Sequence, residues 1–83
     1  MIDLSPFLRK DAQEAGDIAE LLRYVERNIR LRTGGTIREL RVVLDNNKIV
    51  VTGRTSTYYS KQLVSWAAAD AASGRDVLNE IEV

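Results

Sequence analysis

The side chains that most often carry enzyme chemistry are missing from this chain. It contains no His and no Cys, which removes an imidazole base, a thiolate nucleophile, a disulfide framework and the usual zinc sites together. Carboxylates remain for acid-base or hard-cation work, but Asp45, Asp70, Asp76, Glu80 and Glu82 are not gathered at ligand spacing. Asp45 fits a turn, and Glu80 with Glu82 fit the wet face of a strand. Nor do the glycines form a phosphate cradle. Such a loop leads from a strand into a helix N-terminus, whereas Thr33-Gly34-Gly35-Thr36 leads from a helix into a strand. The Gly-x-x-Gly that a KH-type nucleic-acid module places between two helices is absent as well. The expectation is a non-enzymatic chain with no cofactor and no metal.

Arginine is the residue type whose spacing suggests a surface. Residues 23 to 41 hold Arg23, Arg27, Arg30, Arg32, Arg38 and Arg41 against Glu26 and Glu39, a local charge of +4 in a chain with 12 basic and 12 acidic residues. Arg23, Arg27 and Arg30 stand at i, i+4, i+7, one stripe of a helix roughly opposite its apolar face. Such a stripe suits anionic headgroups, at about 1 kcal/mol per basic residue near a charged surface. The competing expectation is a solvated face on which Glu20 pairs with Arg23 and Glu26 with Arg30.

These residues need elements to position them, and 83 residues allow only one small domain with a thin core. Residues 1–16 read as a leader or linker. Ser5-Pro6 and Gly16 punctuate it, so a short helix from Pro6 to Ala15, with Phe7 and Leu8 together near one end, is the alternative. From Asp17 a capping-box pair, Asp17 and Glu20, precedes Ile18, Leu21, Leu22, Val25 and Ile29 at helical spacing. This predicts a helix from about Ile18 to Leu31, ended by Gly34-Gly35.

The period then changes from 3.6 to 2. Leu40, Val42 and Leu44 alternate with Arg41, Val43 and Asp45, and Ile49, Val51 and Gly53 alternate with Val50, Thr52 and Arg54, with Asn46-Asn47 as a tight turn between them. Thr55, Ser56 and Thr57 offer N-caps for an Ala-rich helix from about Tyr58 to Ser73, closed by Gly74. Val77 to Val83 alternate once more. The fold class is therefore α+β, a two-layer sandwich in the order α-β-β-α-β, with two helices on one face of a three-stranded mixed sheet. The last strand can pair with either of the first two, and an exposed sheet edge remains in both arrangements. Gly53 falls on the inward phase after Ile49 and Val51, so its missing side chain is expected to let a helix pack closely against the sheet.

Residues 17–83 resemble the BON-domain family, a small bacterial α/β module. The resemblance rests on Leu40-Arg41-Val42-Val43-Leu44, on Ile49-Val50-Val51-Thr52-Gly53 with its terminal Gly, on Lys61 followed by Val64 and Ala67, and on the closing run from Val77 to Val83 with its Val77-x-Asn79. There are two departures. Thr55 stands where the family often has Val, and Ser73-Gly74 where helix 2 often ends in Gly-Val. Structural roles for Gly53, Gly74, Val77 and Asn79 follow from the resemblance. So does the function: BON modules are non-catalytic attachment units of envelope, pore-forming and stress-associated proteins, proposed to contact phospholipid or other proteins.

If Ser60, Val64, Ala67 and Ala71 face the sheet, as the resemblance implies, then Tyr59, Leu63 and Trp66 share one flank of helix 2. An exposed Trp66, where the family tends to have a polar residue, would serve as an anchor. Otherwise the three side chains wrap the edge of a small core or pack under the leader. The candidate binding surface is thus Arg23, Arg27, Arg30, Tyr59, Leu63 and Trp66. The partners it suggests are an anionic phospholipid, an envelope protein or a second copy in a homodimer, and zero net charge disfavours nucleic acid. No transmembrane segment or secretion signal is visible, and the resemblance alone points to the cell envelope or periplasm.

Overall fold

The computed structural model describes the backbone of residues 5–83 and the side chains of residues 16–83. The elements are α1 (Ser5–Thr33), β1 (Arg38–Asp45), β2 (Lys48–Arg54), α2 (Tyr58–Ala71) and β3 (Val77–Glu82), the expected α+β order. The break expected at Gly16 is not there. α1 is one helix of 29 residues, about 43 Å long at 1.5 Å per residue, so Gly16 lies inside it and Asp17 with Glu20 do not cap it. A single interior Gly costs only about 1 kcal/mol relative to Ala, and the flanking Leu, Arg, Lys, Ala, Gln and Glu are good helix formers. The side chains of Phe7 and Leu8, expected together near one end of that short helix, lie outside the described residues. Gly34 and Gly35, both at positive φ (62° and 74°), end α1, and the Gly35 N–H donates to the Arg30 carbonyl at 3.1 Å.

The sheet has the order β1-β2-β3. β1 and β2 are antiparallel around Asn46 and Asn47, whose φ values of 51° and 63° give the two left-handed residues of the tightest hairpin turn. β3 lies parallel to β2, from Ile49↔Val77 to Arg54↔Glu82, because α2 carries the chain back to the end where β2 began. Two backbone bonds clasp the ends of that pairing, Ile49 N–H to the Asp76 carbonyl (2.8 Å) and Thr55 N–H to the Glu82 carbonyl (2.9 Å).

The apolar phase of every element converges between helices and sheet. Val25 and Ile29 of α1, Leu40, Ile49, Val51 and Ile81 of the strands, and Val64, Ala67, Ala68 and Ala71 of α2 are buried together. Four consecutive turns of α2 thus present Ser or small apolar side chains inward, which lets the helix lie close to the sheet and to α1. Its N-cap is Thr57, whose hydroxyl accepts from the Ser60 N–H at 3.1 Å. It ends at Ala71, two residues earlier than expected, where Ser73 (φ 54°) and Gly74 (φ 82°) turn the chain toward β3.

Gly53 has a different structural use from the one expected. β1 carries a bulge: Arg38 pairs with Arg54 and Arg41 with Thr52, which leaves Glu39 and Leu40 opposite the single residue Gly53. Glu39 takes the left-handed conformation (φ 54°). A Cβ at Gly53 would meet the Arg38 carbonyl oxygen and Ile37 Cγ2 at 2.9 Å and Ile81 Cδ1 at 3.2 Å. The close neighbours are therefore the approach to β1, its bulge and β3, not a helix. The φ of 156° adds a backbone reason for glycine.

Candidate functional site

α1 and α2 run antiparallel across the inner face of the sheet and are tied at two points. The Asn28 side-chain amide donates to the Ala67 carbonyl at 2.8 Å, and Arg32 pairs with Asp70. These ties fix which side of each helix faces the other. With Val25 and Ile29 inward, helical phase turns Arg27 almost directly outward, Arg23 and Arg30 toward the β1 side, and Tyr24 and Leu31 outward on the α2 side. On α2, with Val64 inward, Leu63, Tyr59 and Trp66 lie on the α1 side and progressively outward. The outer surface of the helical layer thereby carries all six expected site residues.

Their exposures separate the expectations. Trp66 is 58% and Tyr59 69% exposed, so neither wraps the core, whereas Leu63 is half-buried at the foot of the flank; the expected alternative of packing under the leader lies outside the described residues. Arg23, Arg27 and Arg30 are exposed. Arg30 donates to Glu26 at 2.8 Å, which confirms one expected intrahelical pair and partly neutralises the stripe. Among the described residues Arg23 and Arg27 enter no ion pair, and the expected contact between Glu20 and Arg23 is not formed. Two residues that the sequence argument passed over, Tyr24 (59% exposed) and Leu31 (75%), join the surface. Their signal was present, since both are large apolar residues off the inward phase of α1, seven positions apart.

Asn79 buckles β3 to α2: its amide N–H groups donate to the Lys61 carbonyl (2.9 Å) and Ser65 Oγ (2.7 Å), while its Oδ1 accepts from the Ile81 N–H (3.0 Å). Lys61 and Asn79, two of the residues on which the family resemblance rests, are thus partners in space. Thr55 is buried, and its hydroxyl has no hydrogen-bond partner among the described residues. A polar atom thus stands where the fold supplies nothing to meet it.

No constellation with catalytic or metal-ligating spacing emerges among the described residues, which hold no group of three or more acidic side chains placed for a metal ion. An open cleft lies beside the Ser73-Gly74 turn, lined by Asp17, Leu21, Tyr24 and Arg75 among others. Its charged groups are of both signs: Asp17 and Glu20 are exposed, while Arg75 is half-buried, its Nε buried and without a hydrogen-bond partner among the described residues. No helix of the described residues is long and apolar enough to cross a membrane. No family model matches the chain, and no curated protein or solved structure matches it at a significant level.

Proposed function

We propose that this is a non-catalytic, BON-like attachment module that docks the outer side of its helical layer onto an anionic phospholipid surface. One observation carries the proposal: the exposed cations Arg23 and Arg27 share that side with Tyr24, Leu31, Tyr59 and Trp66. Aromatic rings that are apolar along one edge and polar along another sit favourably at headgroup depth, and basic side chains beside them meet lipid phosphates. The sequence resemblance in the strands and at Lys61 and Asn79 supports the BON-like part, and with it an envelope location. Attachment of this kind is reversible and salt-sensitive, because the headgroup attraction fades within a Debye length.

Co-sedimentation with vesicles of phosphatidylglycerol and phosphatidylcholine tests the proposal. Binding at low salt is expected to weaken steeply toward 1 M salt, and Arg23→Glu with Arg27→Glu is expected to reduce it by about thirtyfold or more, given about 1 kcal/mol for each of the two basic residues lost. No binding to anionic vesicles at low salt would sink the idea. The second reading is a protein-interaction module without lipid affinity, favoured by the exposure of two aromatic anchors, Tyr59 and Trp66, beside the half-buried Leu63 on α2. It predicts that Trp66→Ala abolishes capture of an envelope protein while vesicle binding is nil from the start.

A further inference from the structure

The two edges of the sheet are not alike. In an edge strand every second residue aims its backbone N–H and C=O away from the sheet, and the register decides which residues these are. The Ile49 N–H donates to the Asp76 carbonyl at 2.8 Å, so the backbone groups of Ile49 and Val51 face β3 and those of Val50 and Thr52 face β1. Val43 and Arg41 answer them from β1, which leaves the backbone groups of Val42 and Leu44 aimed outward. Among the described residues no loop, helix or side chain meets those groups. On β3 the outward set is Val77, Asn79 and Ile81, and there the Ile81 N–H already donates to Asn79 Oδ1 at 3.0 Å. A side chain thus closes the β3 edge at its centre, whereas the β1 edge is open. Its regular stretch is bounded by the bulge at Glu39 and Leu40 and by the turn at Asn46, which leaves Arg41 to Asp45 with Val43 in the middle.

We infer that this open edge pairs with itself and that its occupant is β1 of a second copy. A two-fold axis perpendicular to the sheet and centred on Val43 makes β1 antiparallel to the partner's β1, with helices kept to one face of a continuous sheet. Val42 and the partner's Leu44 then exchange two backbone bonds, and the symmetry makes the same exchange again. On the outer face Arg41 stands beside the partner's Asp45, also twice. Asp45 is already opposite Lys48 in its own copy, so that row places each acid between two bases. The next row joins Leu78, Val50 and Val43 to the same three residues of the partner. On the inner face the half-buried Val42 covers the partner's half-buried Leu44. Neighbouring registers lose this agreement: centring on Val42 sets Glu39 beside the partner's Asp45, and centring on Leu44 sets Arg41 beside the partner's turn. Arg23 and Arg30 lean over the seam from α1, but both are exposed and keep their head groups in water. Five residues a side make a small contact, so the dimer is weak and concentration-dependent.

Sedimentation equilibrium of the full chain tests this, with circular dichroism confirming that each variant is folded. Self-association that stops at the dimer is expected below about 1 mM, the weak end of specific contacts. Amide exchange at Val42 and Leu44 should slow as concentration rises, while exchange at Asn79 on the other edge should not change. Arg41→Asp and Asp45→Arg, each placing like charges together twice, are expected to weaken self-association by more than about tenfold. An equimolar mixture of these two variants should dimerise again, because one then carries Asp at both positions and the other Arg at both. Glu80→Arg, on the closed edge, should leave the mass unchanged. A wild-type mass that stays monomeric to about 1 mM overturns the inference, as do exchange at Val42 and Leu44 that ignores concentration and a mixture that fails to associate. Masses that climb past the dimer and fall with Glu80→Arg would overturn it too, in favour of an open chain of β1 on β3. Loss of vesicle binding leaves these masses unchanged, so the lipid proposal and this one fail separately.

Discussion

The inner and outer faces of the sheet are made by alternate residues of the same three strands, and they differ in what holds them. Inward, Ile49, Val51 and Ile81 are fully or almost fully buried under two helices, Asn79 has its amide bonded on both ends, and Gly53 has no room for one more carbon. Outward, Val43 and Leu78 keep nearly half of their surface in water, and Arg41 stands two strands from Glu80 without pairing. Alternation by itself assigns residues to two faces, but only the close neighbours decide which face tolerates change. Substitutions on the inner face should therefore move stability, and those on the outer face should leave it nearly unchanged.

Gly53→Val gives the sharpest form of that contrast. A side chain there meets a backbone oxygen that cannot swing away and also occupies a φ suited to glycine. Overpacking and backbone strain each cost about 1–3 kcal/mol, so a destabilisation of about 3 kcal/mol or more is expected in thermal denaturation. An unchanged melting temperature would remove the bulge argument. Asn79→Ala comes next, at about 2 kcal/mol in urea denaturation, because it leaves the Ile81 N–H unpaired beside the core and cuts the tie to α2. Thr55→Val should act in the opposite direction. Replacing a buried, unpartnered hydroxyl with a methyl is expected to stabilise the fold by about 1 kcal/mol, read as a rise of roughly 4–8 °C in Tm. The smallest effect belongs to the outer face, where Arg41→Glu should leave Tm within the ~0.5 kcal/mol typical of surface changes. A large loss there would break the comparison, since it would mean that the open face contributes to the stability of the single copy.

Much of the fold was legible because its signals are local. Asn46-Asn47 supplies two residues that tolerate positive φ, Thr57 caps α2, and the change of period after Gly35 marks where helix gives way to strand. The continuity of α1 through Gly16 was not legible, because glycine is both a stop signal and a modest interior cost, and only the propensity of the residues around it decides between them. The partner of β3 depends on which way α2 returns the chain, and its alternating pattern fits either neighbour. The bulge at Glu39 and Leu40 carries no mark in sequence, since neither residue type favours the conformation observed. As for the candidate surface, the spacing of Arg23, Arg27 and Arg30 and of Tyr59, Leu63 and Trp66 placed each trio on its helix. That both trios lie on one side of the molecule follows from how α1 and α2 pack, which spacing within either helix cannot contain.

The central position of β2 has a consequence for how the chain reaches this state. Its contact with β1 closes a two-residue turn, an event of microseconds, whereas its contact with β3 joins Ile49 to Val77 across the whole of α2 and bears the greater loop-closure entropy. Folding should thus be nucleated by the hairpin with α1 or α2 against it, and β3 should add late. Conservative substitutions at Val42 or Val51 are then expected to slow refolding, while Ile81→Val should mainly speed unfolding, a partition that chevron analysis reads directly. Until β3 arrives, the far edge of Ile49-Val50-Val51 is open to any strand that reaches it first. The speed of that last docking step, more than the depth of the final minimum, governs how readily the chain aggregates while it folds.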